Sequence, residues 1–287
     1  MSKSIVISNR KCNALGWFGL FVISSIVLIP ILMIVGFWLD WNVVVDGTFA
    51  IYDIMLTIQN GTFSAEILSK EILTVASNYI LISLLISYIP PIIVMLFRID
   101  IDGGYGRVEV LETFKWLAII TSTNCVLEFI MSFFLKIPAL AQATIYLDSV
   151  ASLSTSGNPI LVFLAIGIMA PIVEEIVFRR GVQRNLYKYK RVFRWNVGSW
   201  FGIISASILF GVMHMNLFQG VCAALMGVIL GCAYYKTNNL WYPTLMHMAV
   251  NCSAIAVTLV EVNSYIAYMI ISVIFGLGYL VLKKLNK

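Results

Sequence analysis

The sequence predicts an all-α integral membrane protein, a polytopic bundle of about eight transmembrane helices with both termini in the cytoplasm. Three observations support this fold class. Of the 287 residues, 60% are hydrophobic and only 11% are charged, whereas soluble domains carry roughly 25% charged residues. Apolar residues gather into runs of about 20, the length that crosses a bilayer as a helix. Basic residues collect in alternate connections between those runs.

Eight apolar runs are long enough, or nearly long enough, to be transmembrane helices. Unpaired backbone groups cannot face lipid, so strands are not expected inside them. The runs extend over the whole chain, and we therefore expect a single membrane domain over residues 1–287. The predicted spans are 17–39, 72–97, 116–135, 159–178, 197–213, 219–235, 241–260 and 266–282.

The charges in the connections predict the orientation of the bundle. With eight spans, both termini and the second, fourth and sixth connections share one side of the membrane. That side holds most lysines and arginines, including the basic block 179–194, and the other side holds only Lys70 and Lys136. Positive charges are retained in the cytoplasm, so we expect both termini there.

The net charge of +5 and the five cysteines indicate no further function. The basic residues stand in short connections beside apolar spans, where they set orientation, so no nucleic-acid partner is expected. The cysteines lack the paired spacing of metal sites. Most lie in apolar runs, where a free cysteine packs as a small hydrophobe. They are Cys12, Cys125, Cys222, Cys232 and Cys252.

Few ionisable side chains stand inside the predicted spans. Each is a candidate for function, because a charge in the bilayer is costly. The carboxylates are Glu128, Glu174 and Glu175, and the only two histidines of the chain, His214 and His247, lie in or at the edge of late spans. Histidine exchanges protons near neutral pH, so this placement favours chemistry over packing.

Two carboxylates and a guanidinium stand close together on the fourth span. Glu175 and Arg179 are four residues apart with the acid first, the favourable order for a helical ion pair. Glu174 points about 100 degrees away from Glu175. One carboxylate can therefore be neutralised while its neighbour faces a cavity and acts as a base. The alternative is a pair of interfacial glutamates beside basic residues.

The two histidines have different neighbours. His214 follows Phe210 by four residues, and it could also be a solvated residue at the end of a span. Asn251 follows His247 by four residues and shares its helical face. Two polar groups in a dry cavity suit an oxyanion hole, and the alternative is a polar pair that holds helices together. Glu128 fits no catalytic pattern; it could line the same cavity, bond to another helix or carry protons.

The three motifs occur together in an order typical of one family. The chain has Glu174-Glu175-x-x-x-Arg179 first, then His214 four residues after Phe210, and finally His247 four residues before Asn251. This order resembles that of the CAAX-processing and bacteriocin-processing family of intramembrane peptidases. This family, also called CPBP or Abi, includes the type II CAAX prenyl endopeptidases. The family's distribution and the compact chain favour a bacterial plasma membrane.

The resemblance covers about residues 159–260, the expected catalytic core, whereas the spans within 17–135 carry no signature. It implies an enzyme that hydrolyses a peptide bond in a peptide or a membrane-associated protein, lipidated or not. By motif position, Glu174 and His214 would activate water, His247 and Asn251 would stabilise the oxyanion, and Glu175 and Arg179 would brace the site.

Three further alternatives stay open. Members of the family have long been called metalloproteases, and Glu174, His214 and His247 could in principle bind zinc. The sequence lacks the His-Glu-x-x-His helix of zinc peptidases, so our interpretation favours catalysis without a cofactor. A non-proteolytic adaptor, such as a bacteriocin self-immunity factor or a regulator of a membrane signalling protein, could keep the same polar cluster for structure. The absence of internal repeats argues against a transporter.

One geometric conflict follows from the predicted spans. If the fifth helix begins at Val197, His214 lies about 25 Å along it. That depth is too close to the outer face for contact with Glu174, which lies toward the cytoplasm. The fifth helix must therefore begin later, or tilt, or be preceded by a basic block that lies along the interface.

Overall fold

The described part of the chain forms a bundle of helices, which confirms the all-α class. The protein is described by a computed structural model at residues 14–29, 31–32, 59–60, 77, 80–98, 104–134, 136, 157–187, 191–192, 195–196, 198–214, 217–260 and 263–286. Residues 33–39 and 72–76, which belong to the first two predicted spans, lie outside these ranges, as do Cys12 and Lys70.

Eight helices in these ranges correspond in order to the eight predicted spans. We number them along the chain. They are α1 (Ala14–Val22, extended by a π-helical turn Ile23–Leu28), α2 (Ile89–Arg98, preceded by helical residues 80–87), α3 (Val110–Phe134), α4 (Pro159–Leu186), α5 (Trp200–Val212), α6 (Leu217–Thr237), α7 (Trp241–Val260) and α8 (Ser264–Leu285).

Within the described ranges, five helices are long and apolar enough to cross a bilayer: α3, α4, α6, α7 and α8. Their outward faces carry large apolar side chains, as α8 does at Ile270, Ile274 and Leu277. Apolar residues on the outside of a helix bundle suit contact with lipid rather than water. The chain is a multi-pass membrane protein, and the count of eight spans and the cytoplasmic termini stay predictions.

Helix α4 is irregular around the glutamate pair. It begins with Asn158, whose side-chain oxygen accepts hydrogen bonds from the backbone amides of Ile160 and Leu161. Two π-helical segments, Phe163–Met169 and Ile176–Gln183, flank the α-helical turn Ala170–Glu175. π turns shift the direction of the side chains that follow them, and they are frequent at functional sites.

Helices α4, α5 and α6 pack closely because glycines line their contacts. A Cβ atom on Gly202 of α5 would stand 2.6 Å from the backbone oxygen of Gln183 on α4, and one on Gly231 of α6 would stand 2.8 Å from the Gln183 side-chain oxygen. A Cβ atom on Gly211 would overlap the carbonyl oxygen of Gly220. Small residues allow such close approach between membrane helices, and they hold α5 firmly against α6.

Helix α5 begins at Trp200 rather than at the predicted Val197, and this corrects the predicted span. Gly198 has φ +52, a conformation that glycine adopts without strain, so a turn stands there instead of a helix. Before it lies a small antiparallel ribbon, Arg191–Val192 paired with Trp195–Asn196. This ribbon belongs to the basic connection, not to a span.

Two corrections to the predicted spans remove the conflict over depth: α5 begins three residues later, and α4 continues to Leu186 instead of ending at Phe178. With 13 residues, α5 is only about 20 Å long, shorter than the apolar core of a bilayer. His214 lies about 21 Å from Trp200, and Glu174 lies about 18 Å from Leu186 at the end of the preceding helix. The two side chains therefore reach similar depths from the same side of the bundle.

Candidate active site

Glu175 and Arg179 form a completely buried ion pair on α4. The Arg179 Nε atom donates to Glu175 Oε2 at 2.7 Å, and neither side chain is exposed. The Arg179 guanidinium carbon also lies 5.6 Å from the centre of the Phe210 ring, within the range of a cation–π contact. Its two terminal nitrogens have no hydrogen-bond partner among the described residues. The pair is the i,i+4 arrangement that the sequence predicts.

His247 on α7 connects the two glutamates. Its Nδ1 atom lies 3.1 Å from Glu175 Oε1. An ionised carboxylate only accepts hydrogen bonds, so Nδ1 carries the proton and donates. The other ring nitrogen, Nε2, lies 3.7 Å from Glu174 Oε2. This distance is too long for a direct hydrogen bond but lies within the range of an ion pair.

His214 lies in the turn that follows α5. Its Nδ1 atom is 2.9 Å from the Phe210 carbonyl oxygen, to which it donates, so Nε2 is available for another partner. The Phe210 ring stands edge-on to both imidazoles, with centroid distances of 4.9 Å to His214 and 5.5 Å to His247. Phe210 therefore fixes the position of both histidines and of Arg179.

Two cavities meet at His214. The first, of about 180 Å³, is lined by Glu174 and His214 and by Tyr88 from α2. The second, of about 220 Å³, is lined by both histidines and by Asn251. Each is large enough for several water molecules and has polar groups to hold them. The structure thus places the predicted water-activating residues on one cavity and the predicted oxyanion-binding residues on its neighbour.

Asn251 contacts the backbone of α4 as well as the second cavity. Its Nδ2 atom donates to the Ile166 carbonyl oxygen at 2.9 Å. A side-chain amide has two N–H donors, so one donor remains for the cavity. Asn251 therefore connects α7 to α4, and its second N–H donor can still bind an oxyanion in the cavity.

Asn239 is a positioning residue that the sequence analysis missed. Its side-chain oxygen accepts from the amides of Gly106 at 3.1 Å and Trp241 at 3.0 Å, and its amide donates to the Arg107 carbonyl oxygen at 3.0 Å. These bonds fix the start of α7, six residues before His247. The signal in the sequence is an asparagine close before a helix, where capping residues are preferred.

Tyr105 strengthens the same contact between the segment before α3 and the start of α7. Its ring lies 4.6 Å from that of Trp241, and its hydroxyl lies 3.5 Å from the Thr244 hydroxyl. Burial raises the pKa of Tyr105, so it stays a neutral hydrogen-bonding group.

Tyr88 is a second residue that the sequence analysis missed. It is buried and lines the first cavity beside Glu174 and His214. Its helix carries no motif, and a tyrosine within an apolar run resembles an ordinary core or interfacial residue. Only the packing of α2 against the later helices brings it to the cavity.

The zinc alternative does not fit the geometry. Catalytic zinc uses three protein ligands and keeps one position for water. No group of three or more His, Cys, Asp or Glu side chains in the described part of the chain is arranged to hold a metal ion. In particular, Glu174 and His247 approach each other but His214 does not complete a ligand set, so we derive no step through a metal.

The fold and the site define a multi-pass membrane protein with a buried glutamate–arginine–histidine cluster beside water-sized cavities, a site suited to hydrolysis. Residues 156–253, about a third of the chain, match the family model described as Type II CAAX prenyl endopeptidase Rce1-like. This match contains all three motifs and confirms the resemblance that the sequence predicts.

Two curated relatives each match about a third of the chain. "Putative membrane peptidase YdiL" of Bacillus subtilis (strain 168) is 29% identical over 106 residues, which are 37% of this chain and 41% of the relative. "Uncharacterized 24.3 kDa protein" of Escherichia coli is 34% identical over 92 residues, which are 31% of this chain and 40% of the relative. The chain thus spans about two fifths of these relatives. No solved structure matches the chain.

Proposed function

We propose that the protein is an intramembrane endopeptidase that hydrolyses a peptide bond of a peptide or membrane-associated protein by means of activated water. The observation that carries the proposal is the position of His247, which contacts both glutamates at cavities shared with His214. The family match over residues 156–253 supports it. The relatives come from bacteria, which supports a bacterial plasma membrane as the location.

Glu174 is the proposed general base. Its side chain is 18% exposed, whereas that of Glu175 is completely buried and paired with Arg179. Glu174 can therefore bind a water in the first cavity, with His214 Nε2 as the second partner. General-base catalysis of this kind contributes about 10²- to 10⁴-fold to a rate.

His247 and Asn251 are the proposed oxyanion-binding residues. Because Nδ1 of His247 donates to Glu175, Nε2 can donate only when the ring is an imidazolium. An imidazolium and Arg179 balance the charges of the two glutamates, and a neutral cluster avoids an uncompensated charge in the membrane.

The charge of this cluster also changes in step with the charge of the reacting substrate. When Glu174 takes a proton from the attacking water, the cluster gains one positive charge while the tetrahedral intermediate carries one negative charge. Donors fixed in advance near that position stabilise it strongly. Collapse of the intermediate breaks the C–N bond, and the proton on Glu174 passes to the leaving amine, which restores the starting state.

Replacement of Glu174 tests the proposal. The variant Glu174→Gln keeps the size of the side chain and removes the base, so we expect cleavage to fall about 10²- to 10⁴-fold. The measurement uses the purified full chain in proteoliposomes with a library of apolar peptides and detection of products by mass spectrometry.

The matched control is Glu112→Gln, the same chemical change on α3 at a residue paired with Lys115. It should cleave like the unmodified protein. Both variants should show the same thermal unfolding midpoint. Cleavage at the normal rate by a folded Glu174→Gln variant would refute the proposed function.

A further inference from the structure

Glu128 lies in the last third of α3 and lines the second cavity together with His214, His247 and Asn251. None of the motifs includes it, and α3 lies outside the family match. The structure gives it two of the three roles that the sequence left open, because it lines the cavity and also bonds to another helix. Ser264 on α8 donates its hydroxyl to Glu128 Oε2 at 2.8 Å.

The charge of Glu128 is not balanced as the charge of Glu175 is. The Glu128 side chain is half-buried, and no Lys, Arg or His of the described ranges forms an ion pair with it. A carboxylate at membrane depth is costly without a partner. Since its second oxygen is not used by Ser264, the cavity side of the carboxylate can receive a cationic ligand.

The second cavity joins Glu128 to the catalytic cluster, because Glu128, His214 and His247 all line it. Ser264, to which Glu128 is bonded, lies in the first turn of α8, just after the end of α7 at Val260. Glu128 therefore lies toward the C-terminal end of α7, beyond the turn that carries His247.

The cavity lining defines the chemistry of the ligand. Ile120, Met226, Leu230 and Val250 give the cavity an apolar wall. Such a wall can hold the methylene stem of a lysine or arginine whose charged end reaches a carboxylate.

We propose that Glu128 is a specificity subsite that binds a lysine or arginine side chain of the substrate within the cavity that it shares with His247. This inference rests on the proposed peptidase function and names a property of its substrates. An ion pair formed by Glu128 with the substrate would replace the missing internal partner, and charge-assisted hydrogen bonds of this kind are the strong ones.

Peptide selectivity tests the subsite. The probes are short apolar peptides that carry lysine, norleucine or glutamate at one position at a time. Full-length protein in proteoliposomes should cleave the lysine peptide about tenfold faster than the norleucine peptide at one position, as measured by kcat/KM. In Glu128→Gln this ratio should fall to about one, and in Glu128→Lys the glutamate peptide should become preferred.

Ser264→Ala is the matched control. It removes the hydrogen bond between α3 and α8 and keeps the carboxylate, so the lysine preference should persist. The subsite is refuted if Glu128→Gln keeps the preference, or if Ser264→Ala loses as much of it as Glu128→Gln. The latter outcome would show that Glu128 acts only through helix contact.

A binding measurement separates this proposal from the proposed function. Dansyl-labelled lysine and norleucine peptides are titrated against Glu174→Gln and against Glu174→Gln/Glu128→Gln, with fluorescence anisotropy as the signal. The lysine peptide should bind about tenfold more tightly to the first protein only. This difference supports the subsite whether or not Glu174 proves to be the base, and equal binding to both proteins refutes it.

Discussion

Arg179 is the residue on which the charge balance of the buried cluster depends. One of its nitrogens pairs with Glu175, and its terminal nitrogens have no hydrogen-bond partner within the described residues. A buried donor without a partner costs about 1–3 kcal/mol. The contact with Phe210 offsets part of this cost. The arginine is therefore expensive to bury, and we propose that it holds Glu175 in place for His247.

Replacement of Arg179 by methionine should destabilise the protein strongly. Arg179→Met keeps an apolar stem against Phe210 but leaves Glu175 without its cation. Loss of one partner of a buried ion pair costs about 3–5 kcal/mol. Unfolding in detergent micelles, followed by circular dichroism against temperature or denaturant, measures the change.

The double variant Glu175→Gln/Arg179→Met is the control for this interpretation. Without the carboxylate, no uncompensated charge remains, so the double variant should recover part of the lost stability. If Arg179→Met alone is as stable as the unmodified protein, the ion pair does not determine the stability of the cluster.

At the scale of elements, the position of His214 depends on the contact of α5 with α6. Gly211 lies three residues before His214 and packs against the backbone of Gly220. A methyl group there must push the helices apart. We expect Gly211→Ala to destabilise the protein by about 1–3 kcal/mol, the usual cost of overpacking, and to reduce cleavage because His214 moves.

Gly276→Ala on α8 is the matched control. A Cβ atom at Gly276 would meet nothing within 4 Å. The same substitution should therefore be neutral or stabilise the helix by about 0.5–1 kcal/mol. Thermal unfolding and kcat/KM of the two variants provide the comparison, and equal stabilities would show that the α5–α6 contact tolerates separation.

The sequence predicted the existence of helices better than their ends. An apolar run of about 20 residues is enough to predict a span. The length of an apolar run does not predict where α5 starts, because Gly198 stands inside such a run. Only the positive φ of Gly198 marks the turn before the helix. Periodicity also gives no sign of the π turns in α4, since the same residues satisfy a regular helix.

In the candidate site, too, the sequence predicted contacts within one helix but not contacts between distant helices. The pair of Glu175 with Arg179 follows from a spacing of four on one helix. The bond of His247 to Glu175 joins residues 72 positions apart, and it depends on how α7 packs on the irregular α4. For the same reason Glu128 could be singled out as a charge in a span, but its place on the cavity could not be predicted.

At the scale of the whole molecule, the bundle is apolar outside and polar at its centre. Large apolar side chains face outward on α3 and α8, whereas Glu175, Arg179 and His247 are buried where several helices meet. A membrane imposes no penalty on apolar surface, so the polar groups gather inside, where they can balance one another. The buried polar cluster therefore lies among the membrane-spanning helices.

The distribution of charges between the two ends of the bundle predicts its orientation, and cysteine labelling can test it. Lys136 follows α3 and Asn286 follows α8, and both are exposed. If the positive-inside rule holds with eight spans, Lys136 faces the outside and Asn286 faces the cytoplasm.

Single cysteines at these positions, in a chain whose native cysteines are replaced by serine, should react differently with a membrane-impermeant maleimide. Lys136→Cys should be labelled in intact bacterial cells, and Asn286→Cys only after the membrane is permeabilised. The reverse pattern would show that the protein has the opposite orientation, and labelling of both positions in intact cells would contradict the odd number of spans, α4 to α8, that separates them in this topology.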